Sequence, residues 1–325
     1  MKKLIVSLIT AMAAISSPLA AQTRQATPTS PDSVATVYHI KEITPENIIK
    51  IYEALGRKID GKNVAVKVST GERGNNNHLA ASLIGPFVKS FNGTIVECNT
   101  AYDGSRNTTA DHYKTAEEHG FTSFAKVKIM DEDGSVDLPV KSGKHLAKDI
   151  VGKDFLNYDF LVVLSHFKGH AMGGFGGALK NISIGIASAE GKAYIHSAGK
   201  TDDVATIWQN TAPQDDFLES MAEASEAILD HVGDKVIFIN VANNLSVDCD
   251  CDANPSPVCM ADLGIFASLD PVALDKACVD AVHNSDDHGK KHMIERIESR
   301  HGMVTLQHAE QLGLGTQNYK LVELK

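Results

Sequence analysis

The sequence predicts an α/β protein: a mostly parallel sheet, or sheets, covered by helices and arranged as two lobes with a site in the crevice between them. Three observations carry this. Short runs rich in valine and isoleucine alternate with longer segments of helical period. Two of those runs, 160–164 (FLVVL) and 235–241 (KVIFINV), are apolar almost throughout, as in strands buried on both faces. Polar loops follow the strand-like runs, and parallel sheets build their ligand crevice at that end.

Taken in order, Lys2 and Lys3 precede an apolar stretch at 4–15, which Ser16, Ser17 and Pro18 interrupt before the small residues Ala20 and Ala21. That order is the layout of a secretory leader. The stretch is shorter than the roughly 20 apolar residues a membrane-crossing helix needs. Cleavage near Ala21 and a periplasmic or secreted location are therefore expected. Residues 22–36 are polar and hold two prolines, which predicts a flexible linker. Residues 37–325 remain for one α/β domain, divisible into lobes at 37–165 and 166–325.

Within it, 62–68 (KNVAVKV) reads as a strand closed by Ser69, Thr70 and Gly71. Helical spacing follows at 79–91. A second strand at 94–98 (TIVEC) runs into the polar loop 99–106, and a helix at 112–119 is closed by Gly120. Helix 217–231 precedes the strand at 235–241. After a short strand at 263–267, Asp270 and Pro271 have the residue types of an N-cap and a first helical position.

The chain has 31 Lys and Arg against 41 Asp and Glu, a net charge of −10. Without a long basic stripe, this argues against nucleic acid as the partner. No segment after the leader is apolar for long enough to span a membrane.

Chemistry-bearing residues concentrate at 166–196. His166, Lys168 and His170 alternate, so an extended chain presents them on one face. Gly173, Gly174, Gly176 and Gly177 follow, then Lys180, Asn181 and finally His196. Glycines permit positive φ and close approach of backbone to a ligand. Neither the P-loop pattern nor the dinucleotide fingerprint is present, since Leu179 stands where the latter needs its third glycine. The expected contacts to a small anionic molecule are Lys168, Gly174, Gly176, Gly177, Lys180, Asn181 and Arg106. A buried lysine needs an anion or a covalent partner, and Lys180 is expected to be the buried one, with Lys168 nearer the rim.

Cys249, Cys251 and Cys259 fall within eleven residues. They suit a thiolate metal site, with zinc or an iron–sulfur cluster as occupant, or a disulfide joining Cys259 to one of the other two. A direct Cys249–Cys251 bridge is expected to be strained. Cys98 and Cys278 read as buried small hydrophobes. Asp262 is placed to point into the crevice.

The stretch GHAMGGFGGALKNISIG, followed by GK and a histidine, resembles the signature of a bacterial family numbered 362 among domains of unknown function. DCDCDANPSPVCMADLGIFASLDPVALDKA resembles that family's second signature. VKVSTGERGNNNH and NTAYDGSRNTTADH fit its N-terminal half. Many members carry an inserted ferredoxin-like module with C-x-x-C repeats, which this chain lacks. A more distant similarity is to the nickel-pincer lactate racemases. There a histidine, a glycine-rich turn, the lysine that covalently holds the cofactor and a further histidine come in that order, as do His170, Lys180 and His196. The resemblance implies Lys180 as cofactor-bearing lysine, His196 as nickel ligand and His170 as acid/base, with His112 a candidate for a further histidine.

The functional expectation is an exported metal- or cofactor-binding protein acting on a small carboxylate, with His166 or His170 as acid/base, Lys180 as nucleophile, and His196, His170 and the cysteines as metal ligands. Its rivals are a thiolate-metal redox protein and a non-catalytic binding protein of the cell envelope.

Overall fold

The computed structural model describes residues 33–325. The expected leader lies outside the described residues, as does most of the expected linker. Ala35 and Thr36, at the linker's expected end, already belong to the first strand.

In chain order, β1 (Ala35–Ile40) leads to α1 (Pro45–Ala54), which Thr44 caps by accepting from the Asn47 N–H at 3.2 Å. Then come β2 (Val64–Lys67), α2 (Ala81–Ser90), β3 (Thr94–Glu97), α3 (Thr109–Glu118) and β4 (Lys126–Ile129). A two-stranded ribbon of β5 (Ser135–Pro139) and β6 (Lys148–Gly152) precedes β7 (Phe160–His166). A second small ribbon, β8 (Lys168–His170) and β9 (Gly174–Gly176), leads to α4 (Ala178–Ile186), α5 (Ala189–His196) and the long α6 (Gln214–Val232). The chain continues through β10 (Val236–Ala242), β11 (Gly264–Ser268), α7 (Pro271–Asn284), α8 (Lys290–Ser299), α9 (Met303–Gln311) and β12 (Tyr319–Glu323). Asp270 caps α7 as expected, accepting from the Ala273 N–H at 2.9 Å, with Pro271 opening the helix.

Eight strands form one sheet in the order β12-β1-β11-β10-β7-β2-β3-β4. Neighbours are parallel except where β11 lies antiparallel to β1 and β10. The halves 37–165 and 166–325 share this sheet, joined where β7 pairs with both β2 and β10.

The apolar runs make sense on this frame. Along β7, Leu161 and Val163 face one core, while Phe160, Val162 and Leu164 face the other. Helices α4 to α9 contribute to the first core, and α1, α2 and α3 to the second. A strand with helices on both faces has no polar side to show, so its two-residue alternation vanishes from the sequence.

Candidate functional site

At the carboxyl ends of β2, β3, β7 and β10 lies a cavity of about 100 Å³. Lys67, Glu97 and His166 are the last residues of β2, β3 and β7, and the loop after β10 supplies Cys249, Asp250 and Cys251. The sheet thus brings the 166–196 segment and the cysteine loop to one wall.

Asp250 organises one side. Its carboxylate lies 2.7 Å from His166 Nδ1 and 2.9 Å from Lys168 Nζ. These two neighbours hold it well below the usual carboxylate range despite its burial. His166 Nε2 donates to the carbonyl of Asn243 at 2.6 Å. Both ring nitrogens of His166 are therefore engaged with the protein, and the acid/base edge expected of it is not offered to a ligand. Lys168 is buried, not at the rim, and also donates to the His166 carbonyl at 3.0 Å.

A second buried network forms the other side. Lys67 pairs with Glu97 at 2.9 Å and also donates to the Val68 carbonyl. Glu97 accepts from the Thr70 N–H at 2.7 Å and from Arg106 at 3.3 Å. Arg106 also reaches Glu72 at 3.0 Å and the Tyr102 hydroxyl at 3.3 Å. The carboxylate expected opposite Arg106 is thus supplied by the protein itself. His112 lies behind this network, its Nε2 3.9 Å from Glu97, and does not line the cavity.

The two remaining histidines are set in opposite tautomers by their backbone partners. His170 Nδ1 accepts from the N–H groups of Met172 at 3.1 Å and Gly173 at 2.8 Å, so the neutral ring carries its proton on Nε2. Burial, with Lys180 and Lys168 nearby, keeps that ring neutral. His196 Nδ1 lies 2.7 Å from the Lys192 carbonyl, which can only accept, so its lone pair is on Nε2. Burial pushes His196 down to about 4. The ring stacks on Phe217 with centroids 4.7 Å apart.

Lys180 opens onto the cavity, half-buried on the first turn of α4. Among the described residues its Nζ has neither a hydrogen bond nor an ion pair. Burial and the charge of Lys168 bring it down to about 7. Asn181 ties two strand ends together, donating to the Lys67 carbonyl at 3.1 Å and to Ser165 Oγ at 3.0 Å.

The glycine turn is mainly structural. Asp275 of α7 occupies the N-terminus of α4, accepting from Ala178 at 2.7 Å and Leu179 at 3.0 Å. A Cβ on Gly177 would stand 2.3 Å from Asp275 Oδ1. The N–H groups that follow Gly177, an expected ligand contact, are thus taken by a side chain of the protein. Gly174, at φ +79°, is outside the cavity lining and lets the turn approach Gly302. Gly176 borders the cavity, with Lys180 and Lys168 the nearest neighbours of a Cβ there, at 3.5 and 3.6 Å.

Cys249 and Cys251 are joined as a disulfide, the pairing the sequence disfavoured. Cys259 is a free thiol that donates to the Leu245 carbonyl and does not line the cavity. Its backbone N–H donates to the same carbonyl, and it does not join the other two cysteines at the cavity wall. Ligand-type atoms of His170, Cys249 and Cys251 do lie within 4.8 Å of one another. A disulfide offers no thiolate, however, and the Nδ1 contacts of His170 direct its proton onto the very nitrogen that would ligate. Asp262 turns from the crevice to accept from the Asn244 N–H at 2.9 Å.

Sequence reasoning missed Lys67, Glu97, Lys192 and Asp275. Lys67 and Glu97 are charged residues closing otherwise apolar strands, which is the signal that marks them. Lys192 belongs to the GK pair before His196. Asp275 sits unannounced on a helix that reads as structural.

Fold and cavity define an α/β protein with a cation-rich pocket at the carboxyl edge of a largely parallel sheet. The family model described as Domain of unknown function (DUF362) matches residues 64–280, and the chain belongs to that family. Among solved structures it is similar to the lactate racemase apoprotein from Thermoanaerobacterium thermosaccharolyticum, with 14% identity over 89% of this chain and 82% of that one, at a TM-score of 0.41. A Thermotoga maritima protein from a structural genomics programme aligns at 14% identity and TM-score 0.37, over 82% of this chain and 58% of that one. Comparison with curated proteins gives no match. No helix among the described residues is long and apolar enough to cross a membrane.

Proposed function

We propose that the chain binds a small carboxylate in this cavity and exchanges a proton with it. Lys180 carries this reading. The wall holds five basic side chains, Lys67, Arg106, Lys168, Lys180 and Lys192, against two carboxylates. Glu97 and Asp250 are already committed to Lys67, Arg106 and Lys168. Lys192 donates to the Ala187 carbonyl, which leaves Lys180 a half-buried amine with no partner, to be completed by an anion from solution. In this reading Lys180 pairs with the carboxylate, His170 Nε2–H donates to one of its oxygens, and His196 Nε2 accepts a proton from the bound molecule.

The same residues fit a metal or a lysine-held cofactor. A metal-ligating imidazole characteristically donates its other N–H to a carbonyl, as His196 does to Lys192. Lys180 would hold the organic part, and the group would supply an electrophile facing the substrate. The disulfide-bonded cysteines do not fit an iron–sulfur cluster. Export is part of the same proposal and rests on the order of residues 1–21 alone.

Trp208, the chain's single tryptophan, lines the cavity beside His196, so its fluorescence reports occupancy. Titration with a panel of small carboxylates should give a saturable change that chloride does not reproduce. Incubation in heavy water should then place deuterium on the carbon next to the carboxylate. Saturable binding without exchange makes this a binding protein only, and no binding by any small anion overturns the reading.

A further inference from the structure

The Cys249–Cys251 disulfide borders the cavity and takes no part in the anion site described above. Cys249 is buried and Cys251 half-buried, so a reagent meets Cys251 first. Each sulfur has a donor waiting. The backbone N–H of Cys251 lies 3.3 Å from Cys249 Sγ. His170 Nε2, the ring nitrogen that carries the proton, is 3.9 Å from Cys251 Sγ. The wall around them is cationic, and positive surroundings favour thiolate over thiol. The other cysteines are placed differently. Cys98 and Cys278 are buried and their thiols are pushed up by burial, while Cys259 is tied to the Leu245 carbonyl.

We infer that Cys249 and Cys251 form a redox-active pair that exchanges with low-molecular-weight thiols through the cavity. The incoming thiolate attacks Cys251 Sγ. The Cys249–Cys251 bond breaks, and its electron pair passes to Cys249 Sγ, which accepts from the Cys251 N–H. A second thiolate then attacks the external sulfur of the mixed disulfide. Cys251 leaves as a thiolate beside the His170 Nε2–H. Two small thiols are oxidised to one disulfide, the protein disulfide is reduced to two cysteines, and the protons of the two thiols balance those taken up by the cysteines. Asp250, whose carboxylate faces His166 and Lys168, is the single residue between the two cysteines in sequence.

The test uses the full chain. It is incubated with reduced glutathione, alkylated, and mapped by peptide mass spectrometry. Cys249 and Cys251 should both become labelled, while Cys98 and Cys278 stay unlabelled until the chain is denatured. With glutathione disulfide, Cys249→Ser should capture glutathione on Cys251 about tenfold faster or more than Cys251→Ser captures it on Cys249, since exchange follows access. His170→Asn should slow release of Cys251 more than the first attack. A bridge that resists glutathione in the folded chain but not in the denatured one overturns the inference, as does equal capture on the two cysteines. If a serine variant does not fold by circular dichroism, the labelling of the native chain still decides.

Discussion

His196 donates its Nδ1 proton to the carbonyl of Lys192 at 2.7 Å, and that contact fixes what the opposite edge of the ring can do. With His196 held down to about 4, Nε2 bears a lone pair throughout the neutral range. Nitrogen-15 NMR should show Nδ1 protonated and Nε2 bare from about pH 5 upward. If the group acts as the base, His196→Asn should slow proton exchange into a bound carboxylate by about a hundredfold or more. A protonated Nε2 at pH 7 contradicts the assignment.

Lys180 sets the pH dependence of binding. Its amine is charged below about 7 and neutral above, and an anion favours the charged form. Carboxylate affinity should therefore fall as pH rises through 7 and 8, with a proton taken up on binding. Calorimetry in two buffers of different ionisation heat measures that uptake. Lys180→Met should remove it and flatten the pH profile. Stability carries the opposite sign. Between about 7 and the ordinary 10.5 the unfolded chain holds more protons on this residue, so its contribution grows more favourable with rising pH.

Two adjacent glycines should respond differently to alanine. Gly177→Ala drives a methyl group into Asp275 and should destabilise the fold by about 1–3 kcal/mol, as overpacking does. Gly176→Ala meets only flexible lysine side chains at ordinary contact distance and should shift the melting temperature little. It should instead weaken carboxylate binding by narrowing the cavity. Thermal melts of the two variants check the contrast.

Asp250→Asn should be among the most damaging single changes. It leaves Lys168 and His166 buried without their counter-charge, a loss on the order of 3–5 kcal/mol for a buried pair. Because its folded carboxyl is depressed, the stability Asp250 contributes is present above the ordinary carboxylate range and drains away as the pH falls below it. Acid melts should show native and variant chains converging at low pH.

If residues 1–21 are a cleaved leader, intact mass of protein from an envelope fraction should begin at Gln22 or a neighbour. A full-length chain in the cytoplasm refutes export.

The sequence alone determined the α/β class, five of the strands to within two residues, the cap of α7 and the segment that bears the chemistry. All of these depend on local pattern: burial on two faces erases alternation, and capping needs residues only a few positions apart. The antiparallel direction of β11 and the strands β1 and β12 depend on pairing between the two ends of the chain, which leaves no local trace. The site divides in the same way. His170, Lys180 and His196 were legible because they crowd one segment. Their roles were not, since a histidine's tautomer depends on which backbone group its other nitrogen meets, and a lysine's availability depends on whether a distant carboxylate reaches it. Asp250 reaches Lys168 and leaves Lys180 alone, while Asp275 takes the first N–H groups of α4, just after the glycines. Only the tertiary structure decided those partnerships, because each joins residues more than eighty positions apart in sequence.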